Sequence, residues 1–107
     1  MITRVVALFA FVISLGASAA NANETADMHQ QARFGSKICM VTHQHHGEGS
    51  MPSKNGAQAA AIRRWEWFTR WEYGPRWGSF RKARGQRMRC YRSRSRWTCM
   101  VDAHPCR

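Results

Sequence analysis

Acidic side chains are scarce in this sequence. Six Asp and Glu stand against seventeen Lys and Arg in 107 residues, a formal charge of +11. Between Arg76 and Arg96 there are nine Lys or Arg and no acid. Such an imbalance brings solubility and a loose attraction to any polyanion, and a stretch this one-sided implies a dedicated anionic partner. The signatures of catalysis are missing as well. There is no nucleophile elbow, no phosphate loop and no dinucleotide fingerprint, so the sequence points to a protein that does no chemistry of its own and carries no cofactor. C-x-x-C pairs and zinc-type Cys/His spacings are also absent. That counts against a structural metal and in favour of disulfides for Cys39, Cys90, Cys99 and Cys106.

What is present begins with an address. Arg4, the apolar run from Val5 to Leu15 and two A-x-A sites, at Ala17-Ser18-Ala19 and Ala20-Asn21-Ala22, have the layout of a secretory signal peptide over residues 1–22. The run is too short to stay as a membrane span. The protein is therefore expected to be exported, to the periplasm or beyond. All four cysteines lie past the cleavage site, as suits an oxidising compartment. What remains is one domain, too small to be comfortably stable on its core alone, so two disulfides are expected to staple it.

Residues 23–36 are polar with no clear period and read as a disordered leader, with the domain over 37–107. Lys37 to His45 alternates as a strand, with Ile38, Met40 and Thr42 on one face and Cys39, Val41, His43 and His45 on the other. Gly47 to Ser53 is rich in breakers and reads as a loop. A helix is expected from Asn55 or Gly56, with Ser53 or Asn55 as its N-cap. Ala57, Ala60, Ala61, Ile62, Trp65, Phe68 and Trp71 would form its wide apolar stripe, and Gly74-Pro75 would end it. Trp77, Phe80 and Ala83 recur at three-residue steps, the mark of a short second helix. Arg87–Arg92 and Arg96–Ala103 read as a hairpin turning at Ser93-Arg94-Ser95. Four cysteines allow three pairings. Centring the turn on Arg94 and Ser95 sets Cys90 against Cys99, which leaves Cys39–Cys106 as the second bridge. The same register gathers Met88, Cys90, Trp97, Cys99 and Val101 on one face. The fold class is α+β: a small two-layer, disulfide-stapled domain of strand, helix, short helix, strand and strand, with the last strand between the other two.

Three groups of residues are candidates for function. The first is the cationic set Arg81, Lys82, Arg84, Arg87, Arg89, Arg92, Arg94 and Arg96. The hairpin arginines are too dense to be needed for folding, and their mutual repulsion would be relieved by an anion. For an exported protein the expected partner is lipopolysaccharide, an acidic polysaccharide or an anionic membrane surface rather than nucleic acid. The second is His43, His45 and His46, where two histidines on one strand face have a spacing that can chelate a divalent metal. A metal-binding protein is accordingly one alternative reading, and a membrane-active cationic protein is another. The third is the interleaving of Trp65, Trp67, Trp71 and Trp77 with Arg63, Arg64, Arg70, Arg76 and Arg81. That mixture suits stacking on bases, sugars or lipid headgroups, although Trp65 and Trp71 are expected in the core. Glu72 lies on the apolar side of the helix and needs a partner there. Arg76, one turn on, is the expected one, and a place beside the histidines is the other reading.

The stretch from Ser53-Lys54 through Ala60-Ala61-Ile62, Trp65, Thr69, Glu72-Tyr73-Gly74 and Trp77 to Cys90, Trp97-x-Cys99, Ala103 and Pro105-Cys106-Arg107 resembles small exported proteins of alphaproteobacteria of unknown function. The resemblance covers the last two thirds of the chain. It implies an exported bacterial protein and carries no catalytic residue. The arginine load of the hairpin stands apart from that pattern.

Overall fold

The computed structural model describes residues 22–107. The expected signal peptide lies outside the described residues except for Ala22, which opens a short helix, α1 (Ala22–Asp27). Two strands follow, β1 (Gln31–Phe34) and β2 (Lys37–Met40), paired antiparallel about a turn at Gly35, whose φ is +62°. Regular structure thus occupies most of the segment expected to be a disordered leader. Next come β3 (His45–Met51), the main helix α2 (Lys54–Tyr73), two 3-10 turns (Pro75–Trp77 and Phe80–Lys82), β4 (Arg84–Ser93) and β5 (Arg96–His104). The fold class is the expected one, α+β with α2 laid on one face of a sheet in the order β3-β5-β4.

α2 starts where its cap dictates. Ser53 is extended (φ −114°, ψ 152°), and its Oγ accepts the Gly56 N–H at 3.0 Å. The buried line runs through Ala57, Ala61, Trp65, Thr69 and Tyr73, a strict step of four. Trp71, expected in the stripe, is 70 % exposed. It sits about 120° round the helix from Trp65, so a stripe drawn wide enough to include it takes in a flank that never meets the sheet.

The strand expected over 37–45 is two strands. β2 stops at Met40 and β3 begins at His45, so the segment read as a loop at Gly47–Ser53 is largely strand. The reason lies in tertiary packing. α2 crosses β3 so closely that a Cβ on Gly47 would overlap the Ala61 carbonyl oxygen and come within 2.7 Å of the Trp65 nitrogen. One on Gly49 would come within 2.6 Å of the Ala61 nitrogen. Only glycine permits that approach.

The hairpin has the expected register. Cys90 faces Cys99, Met88 faces Val101, Arg92 faces Trp97, and the turn passes through Arg94 at φ 57°. Both expected disulfides, Cys90–Cys99 and Cys39–Cys106, are present. The first lies in the layer between helix and sheet, where Cys99 and Val101 pack with Ala57, Ala61, Trp65, Phe80, Ala83 and Ala103. The second ties β2 to the end of β5. Backbone bonds reinforce it: Ile38 and Arg107 exchange N–H and C=O at 3.0 and 2.8 Å, and Met40 N–H reaches the Pro105 carbonyl at 2.9 Å. Beside that bridge a second apolar cluster forms from Ala26, Met40, Tyr73 and Trp77.

Candidate anion-binding surface

Alternation along β4 and β5 turns Met88, Cys90 and Val101 toward α2 and Arg87, Arg89, Tyr91, Thr98 and Asp102 away from it. All eight cationic side chains singled out in the sequence are exposed: Arg81, Lys82, Arg84, Arg87, Arg89, Arg92, Arg94 and Arg96. Their partners differ. Arg89 reaches Asp102 at 3.9 Å, the one carboxylate paired with this set among the described residues. Arg84 lies over the Phe34 ring at 3.4 Å and so holds the β1–β2 hairpin against β4. Arg96 donates to the Ser50 carbonyl at 2.8 Å, and Arg92 donates to the Arg94 carbonyl at 3.3 Å. Arg81, Lys82, Arg87 and Arg94 pair with no carboxylate among the described residues. The set is spread over the open face of the sheet, the hairpin tip and the second 3-10 turn. That is an arrangement suited to many weak contacts with an extended anion.

The three histidines diverge. His46 points to the open face of the sheet, where its Nδ1 meets Asp102 Oδ1 at 2.9 Å. His45 points the other way and is buried against α2. His43 precedes the strand and packs against His29, the two rings tilted with centroids 4.2 Å apart. Among the described residues no three His, Cys, Asp or Glu side chains are arranged to hold a metal ion. The strand geometry expected to align His43 with His45 fails because β3 only begins at His45.

His45 is instead a structural ring. The Thr69 hydroxyl donates to the Trp65 carbonyl at 2.7 Å, so its oxygen accepts from His45 Nδ1–H at 2.8 Å. The other ring nitrogen, Nε2, faces the Glu72 carboxylate at 3.4 Å. Glu72 therefore sits beside His45 and not with Arg76. Burial, and next the nearby charges of His43 and His29, push the His45 pKa down to about 4. Glu72 pulls in the opposite direction. Burial outweighs it. Tyr73 stacks on His45 at 4.7 Å, and burial, with Glu72, raises its phenol to about 12.

The Trp–Arg interleaving resolves into two sets. Trp65 and Trp77 are core, while Trp67 and Trp71 are 60 % and 70 % exposed. Trp67 lies under the Arg64 guanidinium at 5.7 Å, and with Arg63 and Phe68 these residues wall an open groove of about 910 Å³ beside β3. The groove was illegible in the sequence, because its other wall is the strand that reads as a loop.

The fold and surface define a small disulfide-stapled α+β domain with a cationic hairpin. No family model, curated protein or solved structure matches the chain. The two disulfides are those of a protein that matures in an oxidising environment. Among the described residues no helix is long and apolar enough to cross a membrane.

Proposed function

We propose that this is an exported, non-enzymatic binding protein whose cationic hairpin engages an anionic component of the cell envelope. The observation that carries the reading is the imbalance over residues 81–96: eight exposed Lys and Arg, with one paired carboxylate among the described residues. Folding alone gives no reason to hold so many like charges together, and a polyanion would relieve their repulsion. Lipopolysaccharide, acidic polysaccharide and anionic lipid surfaces all present repeated phosphate or carboxylate groups, the charge such a set of cations attracts. The triple variant Arg81→Ser, Arg87→Ser, Arg94→Ser tests it, because none of the three has a carboxylate partner to lose. Binding to purified lipopolysaccharide and to anionic vesicles should fall about tenfold in the variant, and should fall steeply with added salt in the parent. Affinity unchanged by either manipulation would sink the reading.

A further inference from the structure

β3 is an edge strand, and the structure shows what its free side offers. The Cα atoms of Cys90 and Cys99 are 4.1 Å apart, the separation of a pair that exchanges no backbone hydrogen bonds. Cys99 therefore turns its own N–H and C=O toward β3, where its partner is Gly49. Alternation then directs the backbone groups of Gly47, Gly49 and Met51 to β5. Those of His46, Glu48 and Ser50 point outward, where no strand among the described residues meets them. Arg96 occupies the Ser50 carbonyl at 2.8 Å. The His46 and Glu48 groups and the Ser50 N–H remain available.

This open edge is one wall of the groove, and the outer flank of α2 is the other. The glycines of β3 set the width. By letting α2 settle directly onto the strand, they bring Arg63, Arg64 and Trp67 alongside its edge. A free strand edge beside a helix accepts an extended chain as an added strand, with main-chain bonds for affinity and alternate side chains for selectivity. The charge selects the occupant: the one carboxylate lining the groove, Glu48, lies 4.0 Å from His46 and is outnumbered by two arginines. Arg63 and Arg64 are exposed, and neither has a carboxylate partner among the described residues. A second copy of β3 would bring two such arginine pairs together. We propose that the groove between β3 and α2 takes an extended, acidic polypeptide segment of a partner protein as a fourth strand, its acidic side chains at alternate positions facing Arg63 and Arg64.

The test uses the oxidised full-length protein and a capped peptide of alternating Glu and Thr, followed by backbone amide NMR. Saturable shifts and slowed hydrogen exchange are expected at His46, Glu48 and Ser50. The same peptide with Lys in place of Glu should bind about tenfold more weakly, and a version N-methylated at alternate amides should lose those shifts. Glu48→Pro removes one outward N–H and no bond to β5, a change edge strands tolerate. It should abolish binding while the β4–β5 amide pattern stays intact. The Arg81/Arg87/Arg94 variant should bind the peptide normally, which separates this site from the hairpin. The proposal is overturned if the three amides do not respond, if the Lys or N-methylated peptide binds equally well, or if Glu48→Pro folds and still binds. It is also overturned if only an acidic sugar chain such as oligogalacturonate responds, through the Trp67 indole, or if the protein self-associates through β3 in place of binding the peptide.

Discussion

The His45 ring is buried, bonded to a hydroxyl and beside a carboxylate, and its burial makes stability depend on pH. In the folded protein its pKa is about 4, against 6.5 for a free histidine. As pH falls through 6.5 the unfolded chain takes up a proton that the folded ring refuses, so the unfolded state gains. Stability is complete above pH 6.5, declines as pH drops, and stops declining below about 4, with a total loss of about 3 kcal/mol. Urea denaturation across that range measures the loss, and His45→Gln should flatten it. An unchanged slope in the variant would mean that His45 is not the group responsible. Thr69→Val tests the other contact. It leaves a buried Nδ1–H without an acceptor and should cost about 1–3 kcal/mol, with Thr69→Ser costing less. Of this, only Glu72 beside the histidines was open in the sequence, as the second of its two readings. A threonine in the middle of a helix looks neutral, and Glu72 had an arginine one turn away. The 26 residues between His45 and Glu72 are spanned by the helix folding back over β3.

At the scale of the element, β3 shows why composition misleads. A run with two glycines, serine and proline has the local signature of a turn, and nothing nearby in the chain reveals that a helix will lie against it. Gly49→Ala turns that argument into a measurement. Were β3 an ordinary exposed strand, alanine would help by about 0.5–1 kcal/mol through reduced chain entropy. Here the added methyl meets the Ala61 backbone nitrogen at 2.6 Å, and backbone cannot step aside as a side chain can. The variant should lose about 1–3 kcal/mol in thermal or chemical denaturation. A gain would mean that α2 does not sit on β3 as described. The β4–β5 hairpin is the opposite case. Its turn, its alternation and its cysteine spacing are all local and all agree, so register, disulfide and buried face could be read from the residues alone.

For the molecule as a whole, the two disulfides do different work. Cys90–Cys99 closes a short loop across neighbouring strands, whereas Cys39–Cys106 has a sequence separation of 67 and joins the first hairpin to the end of the last strand. Chain-entropy reasoning assigns about 4 kcal/mol to the long loop and about 3 kcal/mol to the short one. The larger figure approaches the whole stability of a domain this size. The contacts around the long bridge sharpen the difference. β1 pairs with β2, and β2 reaches β5 through that bridge and the Ile38, Met40 and Arg107 backbone bonds. Replacing Cys39 and Cys106 together by Ala should therefore lower stability by about 4 kcal/mol, read from denaturant midpoints. It should also raise hydrogen exchange at residues 31–40 well before the β4–β5 amides change. Replacing Cys90 and Cys99 should cost less and leave residues 31–40 protected. Equal losses, or a uniform rise in exchange from either pair, would mean that the first hairpin unfolds with the central sheet as a single unit and that the long bridge does not hold it as a separate one.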